Sequence, residues 1–146
     1  MQYREALIQF FEEQIPFNRH LGIRVDLLDP GHCVLRLPFA ESLVGDPFRR
    51  ALHGGVLSTI ADAAGGLAVF AEVDSVLARV STVDLRVDYL RKGLEEELFC
   101  EANVLRLGNR VAVTAMTLRQ QGGTYVVAEG RGVYNVIRPE EPKDGS

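Results

Sequence analysis

At 146 residues, 47% apolar and 25% charged, the chain has the length of one domain and the composition of an ordinary globular protein. Its net charge of −4 argues against general nucleic-acid binding, which needs clustered Lys and Arg against phosphate, and leaves room only for a small basic patch. Cys33 and Cys100 stand alone, with no CxxC pair and too few ligands for a structural zinc, and read as reduced thiols of a cytoplasmic protein.

Tyr3, Ala6, Leu7, Phe10, Phe11 and Ile15 recur at three- and four-residue steps, which predicts an amphipathic helix over about 2–15, stopped before Pro16 and suited to covering an edge or a mouth. Arg4, Glu5, Glu12 and Glu13 interrupt the apolar residues, so the segment reads as neither a signal peptide nor a membrane span. Ile23–Leu28 and Cys33–Leu37 flank the turn signal Asp29-Pro30-Gly31 and predict a hairpin. From Pro38 to Leu52, with Gly45, Pro47, Arg49 and Arg50, there is no clear period, and the stretch reads as a loop of the kind that carries functional groups.

His53 to Phe70 is the oddest stretch of the chain. No Lys or Arg occurs between Arg50 and Arg79, and Asp62 is the one carboxylate from His53 to Ala71. Read as a helix it is apolar nearly all round, the pattern of a helix wrapped by other elements. Asp62 therefore has to find hydrogen bonds, take up a proton or face a cleft, because burying an unpartnered carboxylate costs several kcal/mol.

Beyond it, Thr82 to Leu90 alternates polar and apolar residues, predicting a half-buried strand with Val83, Leu85, Val87 and Tyr89 on the buried face and Thr82, Asp84, Arg86 and Asp88 on the other. Leu98–Leu107, Val111–Leu118 and Thr124–Ile137 are three more strand candidates, joined through Gly108-Asn109 and Gly122-Gly123. The charged tail, 139–146, reads as frayed. The sum is a single α+β domain with a core over about 17–137, in which an antiparallel sheet of about five or six strands wraps one long helix. Such a sheet leaves open edges, and pairing of subunits is the common remedy, so a homo-oligomer, at least a symmetric dimer, is expected.

On that helix Gly55, Thr59 and Asp62 fall on one side, with about two turns, roughly 10 Å, between the first and the last. Bare Gly54 and Gly55 leave amide donors accessible at the positive end of the helix dipole. An electrophilic donor with a carboxylate nearby can polarise a carbonyl and drive attack on it, and Thr82 supplies a hydroxyl to orient water. Each residue also has a plainer reading. His53-Gly54-Gly55 serves equally as a tight turn with a capping histidine, Asp62 as a carboxylate satisfied by amides, and Thr82 as an ordinary strand residue. Arg49, Arg50, Arg91 and Lys92 read as solvated cations that lie well for meeting phosphates.

Taken together, Leu52-His53-Gly54-Gly55, Ala61-Asp62-Ala63 and Ser81 to Arg91, in this order of elements, resemble the hot-dog-fold acyl-CoA thioesterases, in particular the phenylacetic-acid-degradation group. The resemblance covers about 17–137. It implies a hot-dog fold and hydrolysis of a medium-sized acyl or aryl-acyl coenzyme A, with coenzyme A as part of the substrate, no separate cofactor and no metal. It further implies that Gly55 offers its N–H to the thioester carbonyl, that Asp62 is nucleophile or general base, that His53 positions substrate or loop, and that Thr82 orients water. Sites of that family lie between subunits, so Gly55 and Asp62 of one site would belong to different chains. Gly54, Asp46, Arg91 and Lys92 are the matching substrate-binding candidates. Asp46 stands where many relatives carry Asn, and an ionised Asp accepts hydrogen bonds but does not donate them.

Two other functions fit the same architecture. Enoyl hydratases of this fold pair an Asp with a His, but six residues intervene between Asp46 and His53, more than that motif has. A non-catalytic acyl-CoA-binding module would bind without turnover, and the chain shows no further segment to transmit a signal. Neither nucleic acid nor membrane is an expected partner.

Overall fold

The computed structural model describes Met1 and residues 3–139; most of the expected frayed tail falls outside these. Eight strands and three α-helices follow one another as α1 (Arg4–Gln9), α2 (Pro16–Leu21), β1 (Arg24–Asp29), β2 (His32–Leu37), β3 (Val44–Asp46), β4 (Ala51–Leu52), α3 (Gly54–Val73), β5 (Arg79–Tyr89), β6 (Leu98–Leu107), β7 (Val111–Gln120) and β8 (Tyr125–Ile137). Six of the strands form one sheet in the order β1-β2-β6-β7-β8-β5, antiparallel throughout. The sheet curls round α3, which packs against all six strands. This is the expected hot-dog arrangement.

The composition of α3 explains how closely the sheet can wrap it. Ala61, Ala64, Gly65 and Ala68 are fully buried and keep the helix thin on its sheet side, while Leu57, Ile60 and Leu67 fill the space between. Leu35, Leu37, Leu98, Cys100, Leu118 and Val127 meet them from the strands. Each large aliphatic side chain buried in this way contributes roughly 1.5–3 kcal/mol. By length and mean hydropathy, 1.5, α3 is also apolar enough to cross a bilayer, yet here it is the core rod of the domain. Its C-terminus closes on Asp74, in the left-handed region at φ 51°, whose N–H returns to the Phe70 carbonyl at 3.1 Å.

Three expectations need correction. The N-terminal segment is not one helix over 2–15: α1 passes at Phe10–Gln14 into a π-helical turn, Ile15 is extended, and Pro16 opens α2 from its first position rather than merely stopping α1. Gly22, at φ 74°, ends α2 with its N–H on the Asn18 carbonyl. The loop from Pro38 to Leu52 holds a small two-stranded sheet, β3 with β4. Gly45 is obligatory in it, because a Cβ there would lie 2.7 Å from the Cα of His53.

The third correction concerns β5. Its register on β8 slips between Thr82 and Asp84: Thr82 faces Tyr134 and Asp84 faces Val133, so Val83 is the extra residue of a bulge. An inserted residue reverses the alternation of everything on one side of it. Val83 is consequently 65% exposed, whereas Thr82 joins Leu85 on the side that faces the helix. Tyr89 is also largely exposed. Strict alternation would place Thr82 on the opposite face from Leu85.

Candidate active site

The bulge brings Thr82 within reach of α3, and its Oγ1 donates to Asp62 Oδ1 at 2.6 Å. On the neighbouring strand Tyr134, opposite Thr82, is almost fully buried and donates its hydroxyl to the Asp62 main-chain carbonyl at 2.9 Å. Burial pushes the Tyr134 phenol well above its usual range, and the Asp62 charge adds to the effect, so the group remains a donor. Gly65 admits it: a Cβ at that position would stand 2.9 Å from both Tyr134 Cζ and Thr114 Oγ1.

Asp62 and Thr82 open on a cavity of about 550 Å³ between α3, β5, β8 and the N-terminal segment. Its walls are mostly apolar, from Phe10, Phe17, Leu67 and Phe70, with Ser58 and Thr59 polar beside Asp62. A carboxylate and a hydroxyl held together in an apolar recess suit the activation of one water. With its single donor spent on Asp62, Thr82 has lone pairs free to accept from such a water, and a carboxylate beside it has the chemistry to take the proton.

The start of α3 is built differently. His53 is the N-cap, and its Nδ1 accepts from the Gly55 N–H at 2.8 Å. Nδ1 is therefore unprotonated and the ring proton sits on Nε2, as a donor. The Gly55 amide, expected from the sequence to meet a carbonyl, is thus already engaged. Among the described residues the Gly54 N–H has no partner, and it is the free amide at the positive end of the helix. Tyr89, from the end of β5, donates to the Gly54 carbonyl at 3.2 Å and also meets the Ser58 hydroxyl. Thr59 Oγ1 donates to the Gly55 carbonyl at 2.8 Å. Thr59 and Asp62 share the cavity as their spacing implied; Gly55 does not line it.

The remaining candidates lie apart from the cavity. Asp46 Oδ1 accepts from the amides of Phe48 and Arg49 at 3.0 and 3.1 Å, which, with the charges of Arg49 and Lys92, hold its carboxyl below the usual range. Its side chain stabilises the turn that leads into β4. Arg91 donates to the Val126 carbonyl at 2.9 Å, and the Lys92 carbonyl accepts from Tyr125. Arg50, left-handed at φ 56°, is tied to Glu41 and Glu95 and braces the same turn. Neither cysteine offers a nucleophile: both are buried, and burial pushes the Cys33 thiol up to about 12.

Sequence reasoning did not single out Tyr134, Tyr89 or Ser58. The available signal for Tyr134 was a large hydroxyl-bearing side chain among the small and branched residues of β8; for Ser58 it was a position one turn before Asp62 on the same helix.

These features, a carboxylate on the central helix and a free amide at its start, fit a hydrolase of the hot-dog class. The Thioesterase superfamily model matches residues 50–127. The medium/long-chain acyl-CoA thioesterase YigI of Escherichia coli K12 is 32% identical over 132 residues, covering 82% of this chain and 85% of that protein. A Shewanella oneidensis protein of known structure, related to the thioesterase superfamily, is 30% identical with a TM-score of 0.82 over 92% of this chain and 95% of its own. The PaaI protein of the Escherichia coli phenylacetic acid degradation operon shares the fold, with a TM-score of 0.80 at 23% identity over 94% of this chain and 92% of its own. The chain belongs to the thioesterase superfamily, and it is a thioester hydrolase.

Proposed function

We propose that the protein hydrolyses a medium-sized acyl or aryl-acyl coenzyme A to the free acid and coenzyme A, with Asp62 as general base. The observation that carries this reading is the Thr82–Asp62 hydrogen bond at the mouth of an apolar cavity. Water accepted between the two groups loses a proton to Asp62 and attacks the thioester carbon. The carbonyl oxygen becomes an oxyanion, and amide or imidazole N–H donors stabilise it. Collapse of the tetrahedral intermediate breaks the C–S bond, and the coenzyme A thiolate leaves.

The free N–H of Gly54 and the outward Nε2–H of His53 are the donors the helix start offers. Gly55 takes part through the backbone that His53 clamps. Gly54 and Asp62 are eight residues apart on α3, roughly 12 Å along the axis, beyond the ~3 Å that either group can reach. One carbonyl is therefore served by Gly54 of one copy and Asp62 of a second. The eleven-residue β5, at the outer edge of the sheet among the described residues, is the surface on which two copies pair. Arg91 and Lys92, next to that edge, meet the coenzyme A phosphates. The relative named as a medium/long-chain acyl-CoA thioesterase supports an acyl rather than a small polar substrate.

The direct test follows free thiol release from a panel of acyl- and aryl-acyl-CoA thioesters by wild type and by Asp62→Asn. Hydrolysis of acyl-CoA that disappears in the variant, with its fold intact, is expected; equal turnover by the two proteins would remove Asp62 from the chemistry.

A further inference from the structure

A second cavity, of about 340 Å³, lies beyond the first, between α1, the C-terminal end of α3 and the Ser75–Ala78 turn. The two are lined by three residues in common: Leu7, Phe10 and Phe70. Phe70 stands on the rod that carries Asp62, eight residues further on, so the shared wall begins roughly 12 Å from the carboxylate. Asp74, at the far end of the second cavity, lies another four residues, about 6 Å, along. An extended chain advances roughly 1.2 Å per bond, a third of the ~3.6 Å that the three backbone bonds of a residue span. A chain running from Asp62 along α3 thus meets the shared wall after about ten bonds and gains about five more if it passes.

We infer that the second cavity is an acyl-tail subsite continuous with the catalytic one, and that Phe10 is the residue that sets how long an acyl chain the enzyme accepts. The inference rests on the acyl-CoA reading above and adds a length to it. Three observations converge on Phe10. It lines both cavities, whereas its neighbour Phe11 is buried in the core and lines only the first. It is the first residue of the π-helical turn, where the wider backbone swings the following side chains out of α-helical phase. Its ring is half exposed, so it is not pinned by the core as Phe11 is. Tyr3, Ala6, Leu7 and Phe10, at helical spacing, form the face of α1 that roofs the second cavity. The amphipathic stripe of the N-terminal helix thereby gains a role in the site, since one turn covers the reacting end of the substrate and the next covers its tail.

Chains of up to about ten carbons fit the first cavity alone. Longer ones extend past Phe10, where each methylene removed from water strengthens binding about fourfold. The test compares kcat/KM over saturated acyl-CoA substrates from butyryl to palmitoyl for wild type, Phe10→Ala, Phe10→Trp and Ala6→Trp, the last filling the second cavity from its roof. The readout is the ratio of palmitoyl to hexanoyl. Phe10→Ala is expected to raise it at least tenfold, and Phe10→Trp and Ala6→Trp to lower it at least tenfold, with the break in the wild-type profile near decanoyl. An active enzyme whose ratio moves by less than twofold in all three variants would overturn the subsite while leaving the thioesterase reading intact. A wild type that hydrolyses no acyl-CoA of any length would overturn both.

Discussion

The two ends of the proposed catalytic apparatus on α3 are held by different means. At the helix start, His53 caps the Gly55 amide two residues away, and Thr59 binds the Gly55 carbonyl four residues back. At the turn of Asp62 every partner is distant in sequence: Thr82 is 20 residues on and Tyr134 is 72. The first end depends mainly on short-range chemistry, with Tyr89 from the end of β5 as its one side-chain tie to the sheet. The distal end exists only if β5 and β8 are in register and the bulge at Val83 is formed. Positioning the proposed base through the sheet would tie activity to the integrity of the whole fold, while the helix start combines its own first turn with one tie to the sheet, the Tyr89 hydroxyl on the Gly54 carbonyl.

The sharpest way to test that division is to remove the base. Asp62→Asn should lower kcat roughly 10²- to 10⁴-fold with little change in KM, as measured by thiol release. Thr82→Val keeps the strand shape and deletes the hydroxyl; a loss of about tenfold in kcat is expected, in line with one positioning hydrogen bond. A Thr82→Ser variant should recover most of it. His53→Ala breaks only the local end: unfolding in urea should show a loss of about 1 kcal/mol from the missing cap. Its Asp62–Thr82 geometry should persist. Tyr134→Phe acts on the distal end from beneath, with a similar loss of about 1 kcal/mol because the bond to the Asp62 carbonyl disappears. The smallest effect belongs to the turn at Asp46. Its folded carboxyl titrates below its unfolded value, so its contribution to stability is complete above the usual carboxylate range and is lost as the pH falls through the lower, folded value. Asp46→Ala should therefore flatten the acid limb of the stability curve slightly and leave the neutral region little changed in shape.

The same division separates what the sequence disclosed from what it concealed. The run from His53 to Phe70 is legible because a helix apolar on all sides has to be enclosed, and a lone carboxylate on it has to be accounted for. The β1–β2 hairpin and β6, β7 and β8 are legible because their turn residues bracket alternating runs. The side of the sheet on which Thr82 stands is not, since the residue left over in a bulge is decided by the partner strand, here by Tyr134 and Val133, and not by β5 itself. The break between α1 and α2 is similarly hidden. Pro16 serves a helix stop and a helix start equally well, and Ile15 becomes extended because Pro disfavours the helical conformation before it. The spacing of Gly55 to Asp62 puts its amide on the side where a carbonyl would sit; the histidine two residues before it turns out to occupy that amide.

The two borders of the sheet are finished unequally. Along β1 the Glu12 carboxylate accepts the Val25 N–H at 2.9 Å and pairs with Arg24, so the N-terminal segment seals that border. Among the described residues the border along β5 carries no such seal. A ribbon with one sealed margin can be lengthened at the other by a single antiparallel copy, and the composite then ends in two sealed margins. In the proposed pairing along β5, strand addition would end at two copies, because the margins left over are the ones already covered, and no open margin would remain for fibre growth.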